Sequence, residues 1–156
     1  MEEDENNTTS YLLAEKAALR LIARAEQCTQ GLVLKLEKRG HEAACVNAVI
    51  SRLCEQKLID DRRFAQLWLE SRIHLTRSPR RLLASLCARG IDRGDAEAAL
   101  KTVLDEETEL ALLARFVKKH TQKAARKREE TSYTLKHLLK SEGFSPQAIK
   151  RFTGEV

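Results

Sequence analysis

The chain contains few of the residues that interrupt helices. Only two prolines and six glycines occur among its 156 residues, and aromatic residues make up 4%. Proline breaks a helix interior, and glycine weakens it by about 1 kcal/mol relative to alanine. Charged residues make up 33% of the chain, and Ala, Leu, Glu, Lys and Arg are frequent. This composition predicts an all-α protein.

The sequence also lacks long apolar runs and paired cysteines. No apolar stretch approaches the roughly 18 residues of a membrane span, and the acidic, polar start does not resemble a signal peptide. The cysteines include no C-x-x-C pair, so we expect small buried apolar residues in a reducing cytosol. They are Cys28, Cys45, Cys54 and Cys87. These features predict a cytoplasmic protein that does not associate with membranes.

Sequence motifs for catalysis or cofactor binding are missing as well. No glycine-rich phosphate-binding loop and no nucleophile elbow occurs. No histidine has a Cys, Asp or Glu at metal-ligand spacing. The histidines are His41, His74, His120 and His137. The sequence therefore predicts a binding protein rather than an enzyme, with no cofactor or metal ion.

A short sequence pattern occurs three times. It predicts an apolar helix that ends in glycine, followed by a helix cap and a second apolar helix. Its glycines are Gly40, Gly90 and Gly143, about 50 residues apart, which indicates an internal repeat. Each unit is too small to bury much core alone. We predict three tandem three-helix repeats in an elongated, curved array. The predicted segments are a disordered acidic tail over 1–10 and repeats over 11–57, 58–104 and 105–156.

The junction before the second repeat has the sharpest local pattern. Asp60 or Asp61 can accept hydrogen bonds from the free N–H groups of a new helix. The helix that follows has Phe64 and Trp68 on one apolar face, so we expect both in the core. Adjacent carboxylates could instead indicate a metal ion or a general base, but neighbouring helical residues diverge by about 100°. We therefore interpret the aspartates and the repeat glycines as structural.

Two groups of basic residues are the candidate contact sites. The net charge is +5, and since residues 2–5 are all acidic, the remainder carries about +9. The first group surrounds a helix start and comprises Arg72, Arg77, Arg80 and Arg81. The second surrounds an expected exposed connection over 121–130 and comprises Lys118, Lys119, Arg126, Lys127 and Arg128. Such groups can contact phosphates or carboxylates, and the alternative is a merely solvated basic surface.

Several of these motifs resemble the RecX family of bacterial regulatory proteins. The most specific stretch reads Leu58-Ile59-Asp60-Asp61-x-Arg63-Phe64-Ala65, followed by Glu70-Ser71-Arg72. The second repeat adds Ser78-Pro79-Arg80-Arg81-Leu82 and Leu86-x-x-Arg89-Gly90-Ile91. The third contains Leu138-Leu139-x-x-x-Gly143-Phe144-Ser145-x-x-x-Ile149-Lys150, and the first contains Lys35-Leu36-x-x-x-Gly40. The resemblance covers about residues 11–154.

The resemblance implies a helical array without catalytic residues that lies along a RecA–DNA filament and restrains RecA. The implied partners are the RecA filament and, weakly and without sequence preference, single-stranded DNA; we expect a monomer because no heptad seam is present. Two residues depart from the family pattern, Cys28 and Gly31, which replace the usual Ser and Glu at a helix start. Two alternatives remain open: a helix-turn-helix-like DNA-binding protein and a helical scaffold for another protein.

Overall fold

The computed structural model describes the backbone of residues 2–127 and 133–154, and the side chains of 4–123 and 135–154. In these ranges the chain forms nine α-helices and no strand, which confirms the all-α prediction. The helices are α1 (Glu2–Arg24), α2 (Thr29–Lys38), α3 (Ala43–Glu55), α4 (Asp61–Arg72), α5 (Pro79–Cys87), α6 (Arg93–Val103), α7 (Glu106–Lys127), α8 (Tyr133–Ser141) and α9 (Pro146–Thr153). A 3₁₀ turn, Ile73–Leu75, follows α4.

The helices follow one another in threes: α1–α3 form the first unit, α4–α6 the second and α7–α9 the third. The accessible surface of the chain is 10775 Å². A compact monomer of 17.7 kDa would expose about 7,900 Å². The excess surface indicates an extended molecule, in agreement with the predicted elongated repeat array.

The expected disordered tail over residues 1–10 is wrong, because α1 begins at Glu2. Acidic residues in the first turn stabilise a helix through the positive end of its dipole. The hydroxyls of Thr8 and Thr9 donate to the carbonyls of Asp4 and Glu5, at 2.8 and 2.9 Å. The first unit therefore starts with a helix of 23 residues rather than with a loose tail.

The expected exposed connection over 121–130 is also wrong in its first part. Helix α7 continues to Lys127. The segment is polar, but its Ala, Gln, Lys and Arg residues are strong helix formers, and polarity alone does not end a helix. Residues 128–132, which include Arg128, lie outside the described residues.

The repeat glycines end the middle helix of each unit. Gly40, Gly90 and Gly143 have φ of +89°, +81° and +87°, the left-handed region that glycine adopts at little cost. After each glycine the next backbone N–H returns to a carbonyl five residues earlier, for example from Ile91 to Leu86 at 3.3 Å. The predicted structural role of these glycines is confirmed.

Among the described residues, the buried apolar side chains form two clusters. The first cluster belongs to the first unit and contains Leu32, Leu36 and Leu53, among others. The second cluster is shared by the second and third units, and Leu82 and Leu139 lie within it. The first unit thus has its own core, whereas the other two units depend on a common one.

The residues expected in the core differ in their burial. Trp68 is buried in the second cluster, as predicted, and Phe64 packs against that cluster while partly exposed. Of the four cysteines, Cys28 and Cys45 are buried, whereas Cys54 and Cys87 are exposed. The expectation of four buried cysteines is therefore wrong for two of them; both lie near helix ends, where neighbouring elements leave them uncovered.

A first joint connects the start of α2 to the second unit. The N-cap residue Cys28 makes no capping hydrogen bond with its side chain, as its departure from the family pattern suggests. Asp61 Oδ1 accepts a hydrogen bond from Thr29 N at 2.7 Å and so caps α2 from another unit. Arg63 forms an ion pair with Glu26 at 2.6 Å. Asp60 keeps the predicted local role, since its Oδ1 accepts from Arg63 N at 3.0 Å.

A second joint connects the start of α5 to the end of α8. Buried Ser78 donates to Oε2 of buried Glu142. Arg80 Nη2 lies 3.1 Å from Oε1 of the same carboxylate, and Arg80 N donates to the Glu142 carbonyl at 3.0 Å. One glutamate thus holds both the side chains and the backbone at the start of α5.

Candidate interface: a basic cleft between the second and third units

A cleft of about 550 Å³ lies between the turn that precedes α5 and the helices α7 and α8. Arg77 and Arg81 line it from the second unit, and Lys119 and Lys123 line it from α7. Arg77 and Arg81 of the first predicted basic group and Lys119 of the second therefore meet in one place. Four cationic side chains in a concave site raise the local concentration of anionic partners.

The lining of the cleft is apolar and aromatic beneath these cations. Leu75 and Leu138 contribute aliphatic surface. His120 stacks on Phe116 with the rings almost parallel, at 2° and a centroid distance of 6.3 Å. Phe116 in turn packs against the buried ring of Phe144 at 5.4 Å. The Phe116 and Phe144 rings are tilted by 57° to each other. Three adjacent rings, here called the aromatic column, thus lead from the shared core to the cleft.

Glu142 also lines the cleft, but its charge is compensated. Burial raises the pKa of this carboxyl, while hydrogen bonds from Ser78 and Arg80 and the positive charges of Arg80 and Arg81 lower it more. The net effect holds the pKa of Glu142 below its ordinary value, so the group is a carboxylate at neutral pH. Its carboxylate oxygens accept hydrogen bonds from Ser78 and Arg80, and the four cationic side chains that line the cleft outnumber this one carboxylate.

Other candidates of the first basic group have partners within the fold. The guanidinium of Arg72 lies 5.4 Å from the centroid of Trp68, and that of Arg89 lies 5.3 Å from the same ring. Such cation–π contacts contribute about 0.5–1 kcal/mol at exposed sites. Arg80 pairs with Glu142. We therefore assign Arg72 and Arg80 to the fold, and Arg77 and Arg81 to the cleft.

The candidates of the second basic group are dispersed along α7. Lys119 lines the cleft, whereas exposed Lys118 does not. The backbone of Arg126 and Lys127 belongs to α7, and their side chains lie outside the described part of the chain, as does all of Arg128. Of this group, the structure brings Lys119 to the first group.

Of the side chains that line the cleft, Phe116 and His120 were not predicted from the sequence, and Lys123 was counted with the basic residues around the expected connection without being proposed as a contact. With Lys119 they stand at positions i, i+3, i+4 and i+7 of α7, which is the spacing of one helical face. This spacing was the available signal. The predicted exposed connection over 121–130 places Lys123 outside the helix, whereas α7 includes it and so brings the four residues onto one face.

Metal sites and membrane-spanning helices can be assessed for the described residues. There, no group of three or more His, Cys, Asp or Glu side chains is arranged to hold a metal ion. Across the same ranges, no helix combines the length and apolarity that a bilayer span requires.

Comparison with known proteins agrees with the pattern of motifs. A family model described as "RecX, second three-helix domain" matches residues 60–100. The chain is 37% identical over 139 residues to "Regulatory protein RecX" of Treponema pallidum (strain Nichols), covering 88% of this chain and 82% of that protein. It is 36% identical over 102 residues to the protein of the same name from Halorhodospira halophila, covering 65% and 62%.

Two solved structures have the same fold. The crystal structure of RecX from Lactobacillus salivarius matches with a TM-score of 0.74 at 19% identity, over 95% of this chain and 97% of that one. A second crystal structure of regulatory protein RecX matches with a TM-score of 0.77 at 21% identity, over 96% and 74%. The sequence relatives, the matched second domain and the shared fold together show that this chain belongs to the RecX family of regulatory proteins.

Proposed function

We propose that this protein binds the RecA–DNA filament and modulates RecA, chiefly by inhibiting its recombinase, ATPase and coprotease activities. The observation that carries this proposal is the similarity over 88% of the chain to a RecX protein. The protein acts as a cytoplasmic monomer through binding alone, without a catalytic residue or cofactor. The mode of action follows from contact with several filament subunits rather than from chemistry.

The shape and charge of the molecule suit such a partner. An extended array presents contact surface over a long distance, as a filament requires. A nucleoprotein filament offers protein carboxylates and DNA phosphates, and the planar guanidinium of arginine binds both in bidentate fashion. Arg77 and Arg81 are exposed at the cleft, where they can reach such groups.

The test is DNA-dependent ATP hydrolysis by RecA, titrated with this protein. We expect the rate to fall as the protein approaches stoichiometry with the filament. The double variant Arg77→Glu/Arg81→Glu should inhibit at least about tenfold less well at low salt, since like charges juxtaposed across an interface cost several kcal/mol. The loss should shrink as salt increases, because screening shortens the reach of exposed charges to about 10 Å at 0.1 M.

The matched control is Lys16→Glu/Lys101→Glu, which changes the net charge equally at exposed positions on α1 and α6. It should inhibit nearly as well as the unmodified protein. No effect of the unmodified protein at excess over the filament would refute the proposed function. Equal inhibition by the cleft variant and the control would show that the partner binds elsewhere on the array.

A further inference from the structure

We infer that the cleft between the second and third units holds a segment of single-stranded DNA. One base stacks on His120, and neighbouring phosphates bind the basic side chains that line the cleft. The inference rests on the proposed function, because it specifies which part of the nucleoprotein filament this site contacts. It adds a base-stacking residue and a defined path for the strand. Three features of the cleft support it.

The first feature is the position of the cations. Lys119 and Lys123 stand one helical turn apart, about 6 Å along the axis of α7. Arg77 and Arg81 line the same cleft from the second unit. Cations from two units along one open cleft can contact a backbone that carries one negative charge per nucleotide. Such contacts bind a strand without reading its sequence.

The second feature is the aromatic column. His120 is exposed in the cleft, and its ring is supported by Phe116, which packs on the buried ring of Phe144. A base that stacks on His120 would extend this column by one ring. Proteins that bind single strands use aromatic platforms of this kind, because every base has a π-face. The platform is held by the shared core, so little ordering is required on binding.

The third feature is the combination of cations and an aromatic ring in one cleft. This combination favours an unpaired strand over other acidic ligands. A duplex keeps its bases stacked inside, where His120 cannot reach a base face. An acidic peptide would satisfy the cations but would leave the stacking surface unused. Only an unpaired nucleic acid supplies phosphates and planar rings in alternation along one chain.

The experiment measures direct binding without RecA, by fluorescence anisotropy of a labelled oligothymidine of about 12 nucleotides. His120→Ala should weaken binding by about fivefold or more, whereas His120→Phe should restore it, since a phenyl ring also stacks. The matched control is His137→Ala, at an exposed histidine of α8 that does not line the cleft. This control should bind as the unmodified protein does. Circular dichroism establishes that each variant is folded.

An abasic oligonucleotide of the same length separates stacking from charge. It should bind the unmodified protein about as weakly as oligothymidine binds His120→Ala, and His120→Ala should weaken it no further. Lys119→Gln and Lys123→Gln should each reduce the slope of log affinity against log salt by about 0.7, with Lys101→Gln as control.

Two results would overturn the inference. One is equal binding of abasic and normal strands by the unmodified protein. The other is displacement of oligothymidine by polyglutamate of equal charge together with full binding by His120→Ala, which would indicate an acidic peptide as the occupant. Neither result bears on inhibition of RecA, so failure of this site and failure of the proposed function are distinguishable.

Discussion

The two joints of the array use equivalent positions with different chemistry. Cys28 and Ser78 stand 50 residues apart as N-caps of α2 and α5. At the first joint the Cys28 thiol faces the Arg89 carbonyl at 3.7 Å. At the second joint the Ser78 hydroxyl instead binds the side chain of Glu142, the residue that likewise precedes a repeat glycine. One arrangement of the backbone thus carries a thiol contact in one place and a buried carboxylate network in the other.

The two joints also differ in how much apolar core covers them. The second joint is covered by the cluster that the second and third units share, whereas the first unit contributes Cys28 to that cluster. The first joint also contains the polar contacts of Asp61 and Arg63, and partly exposed ion pairs such as Arg63–Glu26 contribute only about 0–1 kcal/mol. We therefore expect the second and third units to unfold together and the first unit to separate from them more easily.

Removal of a large side chain from the shared core should have the largest effect. Trp68→Ala should destabilise the protein by about 3–5 kcal/mol, because it leaves a cavity in the second cluster and removes the ring beneath Arg72 and Arg89. Hydrogen exchange should show the loss of protection in α4–α9 and retained protection in α1–α3. Leu36→Ala, in the first cluster, should give the opposite pattern. Equal loss of protection throughout the chain in both variants would contradict two separable cores.

Removal of the carboxylate at the second joint should have the next largest effect. Glu142→Ala should cost about 1.5–3 kcal/mol in chemical denaturation, since hydrogen bonds to a charged group are lost and buried Ser78 loses its acceptor. Cys28→Ala, which removes the thiol contact of the first joint, should cost less. A greater loss for Cys28→Ala would reverse the ranking of the joints.

The carboxylate of Glu142 makes the stability of the second joint depend on pH. Because the pKa of Glu142 is lowered in the folded protein, its ionised form stabilises the fold at a pH above the ordinary glutamate value of 4.5. That contribution is lost as the pH falls through the lowered pKa. Glu142→Gln should therefore be less stable than the unmodified protein at pH 7, and the difference in their free energies of unfolding should decrease on acidification. A difference that increases at low pH would contradict a lowered pKa of Glu142 in the folded protein.

The repeat glycines allow a third test of the joints. A Cβ at Gly90 would lie 2.6 Å from Cβ of Gln30 in the first joint, whereas a Cβ at Gly40 would meet nothing within 4 Å. Gly40→Ala should cost about 1–2 kcal/mol for the left-handed backbone alone. Gly90→Ala should cost more, because the start of α2 must also move. Equal midpoints of thermal unfolding for the two variants would show that the start of α2 can move away from residue 90 without loss of stability.

The smallest effects should come from the two aspartates. Asp61→Ala should cost about 1 kcal/mol, since Thr29 N loses its acceptor at the first joint. Asp60→Asn should change stability by less than 0.5 kcal/mol, because asparagine caps a helix about as well as aspartate. Urea denaturation measures both. If Asp60→Asn remained folded and yet failed to inhibit RecA, its charge would be a contact with the partner.

Local features were predictable from the sequence, and distant pairings were not. The repeat glycines, the cap at Asp60 and the buried Trp68 follow from spacing within about eight residues, so periodicity and capping rules suffice for them. The contacts of Asp61 with Thr29 and of Arg80 with Glu142 join residues 32 and 62 positions apart. Nothing in local spacing specifies such pairs. The cleft itself was not predicted: Arg77, Arg81 and Lys119 were named in two separate groups, and Lys123 was placed in an exposed connection rather than on α7.

Helix α1 gives the first joint a mechanical consequence. The helix ends at Arg24, beside the joint, and its 23 residues extend for about 35 Å. It therefore acts as a lever arm: a rotation of about 10° at the joint displaces its far end by about 6 Å. Under the proposed function, a rotation at this joint would let the first unit follow changes in the pitch of the filament while the second and third units stay bound through the cleft.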